Sequence, residues 1–346
     1  MKTRHLVRIV AVALFASLFT ACSNDDAVRG VVEIGKMDGV DLSQSQCRTT
    51  LNGEEVAIKG VEFACDGAGG AVTMTISGLT AELAKSFTVD IDAVPGERTV
   101  GFTGKSDAPG YEMTVRGTYT PAEKYVTDDY VVLDIAYAPK GIETGRTFVF
   151  KTGEGFLNVT KDILGTTKYD GIVYPNEMTI RNALVSIGKY LGTKHDEIGM
   201  RFNEDLTLDI WIKPAGGDEP AHWMTTRYWF TENDGELILE LTGEQCDAFC
   251  EAWTGIPQGP YTPIFIFGLD DRVPLAMFYE MDGGRLSIGI ANTQNAAALS
   301  MFADGFGRTW PESQAKTELM VARDAMWNAI RDGQQVEIAM TSEPGD

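Results

Sequence analysis

From residue 30 to about residue 150, apolar side chains alternate with polar or small ones. Val72, Met74 and Ile76 alternate with Thr73 and Thr75, and Phe87, Val89 and Ile91 with Thr88 and Asp90. Val100 and Phe102, then Tyr111, Met113 and Val115, then Val131, Leu133, Ile135 and Tyr137 keep the same spacing. A period of two places one side-chain class on one face of a strand, and a helix has no such face. Turn-forming stretches separate the runs: Asn52-Gly53, Gly67-Ala68-Gly69-Gly70, Pro95-Gly96 and Ala108-Pro109-Gly110. Roughly eight short strands so spaced predict an all-β antiparallel barrel or a sandwich. A helical turn near Thr80–Lys85 interrupts the meander.

The polar, turn-rich stretch Ala138–Gly145 marks the expected boundary, giving a β domain over 30–145 and a second domain over 146–346. The strand Thr147–Phe150 either closes the first domain or opens the second. Beyond it, Ile180, Leu184, Ile187 and Leu191 recur at helical spacing. Thr242-Gly243-Glu244-Gln245 has the form of a capping box ahead of a Cys246, Phe249, Cys250, Trp253 stripe. Asn295–Phe302 and Pro311–Ile330 read as further helices. Strands are predicted at Leu206–Lys213, Thr225–Thr231, Glu236–Leu241, Ala276–Met281 and Arg285–Ile290, with hairpin turns at Asn233-Asp234-Gly235 and Asp282-Gly283-Gly284. The second domain is therefore expected to be α+β, with antiparallel hairpins and several helices.

The N-terminus has a separate character. Lys2, Arg4 and Arg8 precede the mostly apolar run Ile9–Phe19, then Thr20-Ala21-Cys22. The run falls short of the about 20 apolar residues that span a bilayer, and it has the form of a secretory signal. The small residues before Cys22 resemble the lipobox of bacterial lipoproteins, and Ser23-Asn24-Asp25-Asp26 resembles the acidic stretch of surface-exported Bacteroidetes lipoproteins. The resemblance implies a signal peptide over 1–21, a lipid-modified Cys22 and an acidic tether over 22–29. It further implies an outer-membrane protein, anchored by acyl chains and exposed at the cell surface. More than one acyl chain gives stable anchoring. Removal of residues 1–21 takes three positive charges and leaves a chain at −24.

The first domain resembles the calycin-like (lipocalin-like) β-barrel of uncharacterised Bacteroidetes lipoproteins. The resemblance is carried by its position after the lipobox and by Thr-rich strands such as Val72-Thr73-Met74-Thr75-Ile76-Ser77-Gly78-Leu79. Barrels of this kind often hold small apolar ligands, although a small barrel is also filled by its own side chains.

In an oxidising compartment the four cysteines after Cys22 allow three disulfide pairings. Cys47 and Cys65, 18 residues apart in the strand-rich region, are a candidate bridge. Cys246 and Cys250 share a helical stripe and are expected to face the core. No cysteine or histidine spacing fits a zinc or redox site, and the acidic loops lack the EF-hand pattern, so neither metal nor cofactor is expected.

The strand over Leu206–Lys213 buries Leu206, Leu208, Ile210 and Ile212, which leaves Trp211 on the other face with Thr207, Asp209 and Lys213. In the next hairpin Trp229 falls beside Arg227, Ile238 and Glu240. Two tryptophans on polar faces need an explanation. Either a helix covers them, or Trp211 and Trp229, with Arg227 and Asp209, form an aromatic platform for a sugar ring. His195 and His222 read as loop residues, and Asp128-Asp129 and Asp270-Asp271 as solvated pairs. No nucleophile elbow, HExxH or P-loop is found.

Composition limits the partners. The chain has 346 residues, 29 Lys+Arg and 50 Asp+Glu, a net charge of −21, and 44% hydrophobic residues. That is enough apolar material for a core, and the acidic balance is opposite to the basic footprint of a nucleic-acid binder. The expectation is a non-enzymatic lipoprotein that binds a glycan or small apolar ligand or serves as an accessory component. The alternatives are a glycan-processing hydrolase whose carboxylate pair the sequence does not reveal, or a structural envelope protein.

Overall fold

The computed structural model describes residues 37–65, 71–79, 85–92, 99–122, 128–231, 236–254, 272–293 and 314–344. The expected signal peptide, Cys22, the expected acidic tether, most of the expected turn near Thr80–Lys85, the expected Asn233–Gly235 turn, Asp270-Asp271 and the expected Asn295–Phe302 helix lie outside them. The chain is mostly β, with few helices among the described residues. It divides into two units. The first holds the described residues up to Asp107 together with Glu112–Tyr137; the second holds Ala108–Tyr111 and the chain from Ala138 onward.

In the first unit the strands are β1 (Asp41–Ser43), β2 (Cys47–Leu51), β3 (Glu54–Val56), β4 (Gly60–Cys65), β5 (Val72–Ser77), β6 (Lys85–Asp92), β7 (Val100–Asp107), β8 (Tyr111–Thr120) and β9 (Tyr130–Pro139). They form one nine-stranded sheet in the order β1-β4-β5-β6-β7-β8-β9-β2-β3. The β4–β8 run is the antiparallel meander that the alternation predicts, β9 follows beside β8, and the inward residues Val72, Met74 and Ile76 are fully buried. The flanks depart from simple up-and-down order. β1 pairs antiparallel with β4, and β2 pairs parallel with β9. Only the 3-10 turn Gln44–Gln46 links β1 to β2. So short a link reaches little more than about 3.5 Å per residue, so the sheet must curl to bring its two flanks to it. Phe63 packs edge-on against Phe102 at 5.5 Å between ring centroids and at a tilt against Tyr119 at 5.9 Å, so the inner face is filled at this level by aromatic side chains.

The second unit contains β10 (Thr147–Lys151), β11 (Asn158–Val159), the hairpin β12 (Thr166–Tyr169) and β13 (Ile172–Pro175), and helix α1 (Asn176–Gly192). Then follow β14 (His195–Phe202), β15 (Thr207–Pro214), β16 (Ala221–Phe230), β17 (Glu236–Thr242), helix α2 (Gly243–Thr254), β18 (Arg272–Asp282), β19 (Arg285–Ala291), helix α3 (Gln314–Arg331) and β20 (Glu337–Thr341). Nine of these strands form a second sheet, β10-β14-β15-β16-β17-β18-β19-β20-β11, antiparallel throughout. It curls as well: past β20, the Glu343 N–H donates to the Val149 carbonyl of β10 at 2.7 Å.

The helices follow their sequence signals. α1 buries Ile180, Leu184, Ile187 and Leu191 and packs against α3, which buries Leu319, Ala322 and Met326. At the head of α2 the Thr242 hydroxyl accepts the Gln245 N–H at 3.2 Å, while the Gln245 side chain accepts the Thr242 N–H at 2.9 Å. This reciprocal pair satisfies two backbone donors that a helix start leaves open. Cys246 of α2 is buried.

Candidate functional site: the Trp211 face of the second sheet

Strand β15 separates its two faces cleanly. Leu208 and Ile210 point into the core, where Phe202, Tyr228 and Phe148 are also buried. Thr207, Asp209, Trp211 and Lys213 take the other face. Across from them, β14 places Arg201 opposite Asp209 and Gly199 opposite Trp211, and β16 places Thr225 opposite Asp209.

The register of β15 on β16 then slips. Ile210 pairs with Met224, but the next residue, Trp211, pairs with His222. Trp223 is the extra residue of a β-bulge. Regular alternation would turn Trp223 toward Trp211 and His222 away from it; one inserted residue reverses this. His222, which reads as a loop residue in the sequence, is the second residue of β16, and its ring meets the Trp211 ring edge-on at 5.9 Å.

The bulge brings His222 into a hydrogen-bonded cluster around Asp209. Thr225 Oγ1 donates to Asp209 Oδ1 at 2.5 Å, so the hydroxyl accepts the Nε2–H of His222 at 3.0 Å. The Asn203 amide donates to Asp209 Oδ2 at 2.9 Å and to Thr207 Oγ1 at 3.0 Å. Burial works to raise the Asp209 carboxyl, but the Thr225 and Asn203 hydrogen bonds and the nearby His222 outweigh it and hold its pKa below the usual value. The carboxylate is thus ionised and fixed in orientation, while its side chain keeps 25% of its surface exposed.

A strained turn supports Asn203. Leu206 is fully buried with φ at +66°, in the left-handed region that branched, bulky residues avoid. The surrounding bonds outweigh that strain: Asn203 N–H to Thr207 O at 2.8 Å, Leu206 N–H to Asn203 O at 3.2 Å, and Tyr228 N–H to Leu206 O at 3.1 Å. The Tyr228 hydroxyl donates to Asn203 O at 2.9 Å. Burial pushes that hydroxyl's pKa up, which keeps it a donor. Neither Asn203 nor Thr225 carried a motif in the sequence; register and turn geometry recruit them.

Trp229 lies on the same face, with Ile238 opposite it and Glu240 opposite Arg227, as the hairpin pattern predicts. It is nevertheless only 2% exposed, and the Arg227 guanidinium sits 5.0 Å over its ring. Trp211 is half-buried. A platform of two accessible indoles is therefore not formed: Trp211 presents itself to solvent and Trp229 does not.

The remaining candidates fall elsewhere. His195 begins β14 rather than occupying a loop and pairs with Pro214, at the opposite end of β15 from Thr207. Burial, with Lys194 beside it, lowers its pKa. Asp129 accepts bonds from the Tyr119 hydroxyl at 3.0 Å and the Ala122 N–H at 2.7 Å, so it ties β8 to β9 rather than standing solvated. Cys47 and Cys65 are not bridged to each other. Cys47 Sγ lies 4.0 Å from the Leu42 carbonyl, and Leu42 pairs with Val61. Cys65 is four residues further along β4, about 13 Å at strand rise, whereas a bridge needs Cα atoms within about 7 Å. Burial pushes the Cys47 thiol up to about 11, which keeps it protonated at neutral pH.

The order of the cluster is His–Thr–Asp. A nucleophilic relay needs the histidine between hydroxyl and carboxylate; here the hydroxyl proton is committed to Asp209. The arrangement suits holding a ligand by a fixed acceptor beside an aromatic ring. Because the folded carboxyl of Asp209 titrates below its unfolded value of about 3.9, it stabilises the fold above that value, and the contribution is lost as pH falls through the folded value. Asp209→Asn should therefore melt below the wild type at pH 7, with the gap narrowing as pH falls below the unfolded value and through the folded one; a constant gap across a pH series of melting curves would refute this.

No group of three or more His, Cys, Asp or Glu side chains able to hold a metal occurs among the described residues, and no helix among them is long and apolar enough to cross a membrane. Comparison of the chain with protein-family models, curated proteins and solved structures found no match.

Proposed function

We propose that this chain is an outer-membrane lipoprotein, anchored through Cys22 and exposed at the cell surface, whose second unit binds a saccharide without transforming it. The first unit is read as a calycin-like barrel that stands next to the anchor in sequence. The observation that carries the binding reading is the half-buried Trp211 beside a carboxylate held by two hydrogen bonds. A site whose polar groups are oriented in advance loses less ordering entropy on binding. The aromatic filling of the first sheet's inner face supports placing the ligand on the second unit.

The reading is tested on a glycan array with wild type and Trp211→Ala. Retention of glycans by the wild type and its loss in the variant is the expected result; equal retention, or none by either, removes the proposal. The anchor is tested separately. Labelled fatty acid should enter the wild type but not Cys22→Ala, and protease added to intact cells should degrade the protein.

A further inference from the structure

We infer that the ligand at Trp211 is an uncharged sugar ring, held by the Asp209 carboxylate through two adjacent hydroxyls. The inference rests on the saccharide reading above and adds to it the charge class of the ligand and the contact that selects it.

Three observations lead there. The first is charge. Asp209 and Lys213 flank Trp211 along β15, and their partners across the β14 ladder are Arg201 and Glu197. Each charge faces its opposite in the register, and the four sum to zero. A ligand with net charge of either sign finds no net counter-charge in this frame, and the desolvation of that charge on binding goes uncompensated.

The second is the hydrogen-bond account of the carboxylate. An ionised carboxylate offers about four acceptor positions, two on each oxygen. Thr225 takes one on Oδ1 and Asn203 takes one on Oδ2. His222 Nε2, at 3.6 Å from Oδ1, is beyond hydrogen-bond reach and already donates to Thr225. One position remains on each oxygen, and both can be filled only by donors. Adjacent hydroxyls supply two donors at the spacing of two carboxylate oxygens; a carboxylate on the ligand supplies none and is repelled.

The third is distance. Asp209 and Trp211 are two residues apart on one strand face, about 6.8 Å at strand rise, close to the width of a six-membered sugar ring. A ring laid on the indole through its C–H face therefore carries its edge hydroxyls to the carboxylate. Gly199 opposite Trp211 leaves the indole room on the β14 side: a Cβ there would stand 3.8 Å from Trp211 Cε3.

The test uses the full chain on immobilised neutral, uronate-containing and free-amino glycans, with wild type, Trp211→Ala and Asp209→Asn, and melting curves to verify folding. Wild type should retain neutral glycans above the charged ones, and Asp209→Asn should weaken that retention about tenfold or more, as expected for loss of charge-assisted hydrogen bonds. O-methylation of one hydroxyl of the retained sugar should weaken binding similarly without altering the protein, which keeps the test valid if Asp209→Asn fails to fold. Preference for charged glycans overturns the inference, as does full binding by Asp209→Asn or by the methylated sugar; in each case the saccharide reading stands so long as Trp211→Ala abolishes retention. No glycan retained by the wild type, or undiminished binding by Trp211→Ala, overturns both.

Discussion

Replacing Phe202 with alanine should destabilise the second unit by about 3–5 kcal/mol, the range for deleting a large aromatic from a packed core. Phe202 ends β14 and is fully buried. Its ring meets Tyr228 edge-on at 5.0 Å and Phe148 at 6.2 Å. Tyr228 continues the contact to Phe230 at 5.8 Å, and Phe230 to Tyr279 at 4.9 Å. The substitution removes buried area and leaves a void that β-strands on several sides cannot close without breaking their ladders. Such aromatic pairs add about 0.5–1.5 kcal/mol beyond area burial. The measurement is urea denaturation with the slope unchanged and the midpoint shifted. A loss under about 1 kcal/mol would show that the ring chain is not the core of this unit.

The second large effect concerns Gly289 in β19. It pairs with Ala339 of β20, and a Cβ at this position would lie 2.1 Å from the Ile338 carbonyl oxygen and 2.7 Å from the Ala339 Cα. Both atoms are backbone, so no rotamer change relieves the overlap, and the β19–β20 ladder has to open. Gly289→Ala is expected to cost about 3 kcal/mol or more, the upper range for overpacking. Gly199→Ala is the control: its Cβ would have ordinary contacts of 3.5 Å to Thr147 Cγ2 and 3.7 Å to Trp211 Cβ. That variant should stay within about 1 kcal/mol of wild type. Equal melting temperatures for the two variants would contradict the close approach of β19 and β20.

These two sites also show where sequence reading succeeds and where it stops. Phe202 gave no signal of its special place, because its contacts come from β10 and β16, far along the chain. The alternation of Val72, Met74 and Ile76 and the Thr242–Gln245 capping box were legible in advance. So was the α1 stripe Ile180, Leu184, Ile187 and Leu191. Each depends only on the local period of the backbone or on hydrogen bonds three residues apart. Strand ends were less secure: β16 begins at Ala221, before the Thr225 that the alternation marks, because the bulge at Trp223 breaks the period that locates the strand.

The candidate site divides along the same line. That Trp211 and Asp209 share the face opposite Leu208 and Ile210 follows from a side-chain period of two, a property of any strand, and the residues alone were sufficient for it. The presence of His222 there follows from one inserted residue in β16. The accessibility of Trp211 against the burial of Trp229, and the separation of Cys47 from Cys65, follow from register between segments distant in the chain. Pairing partners, bulges and burial are set by non-local contacts that every neighbouring strand must satisfy together, so they take definite values only when the sheet is assembled.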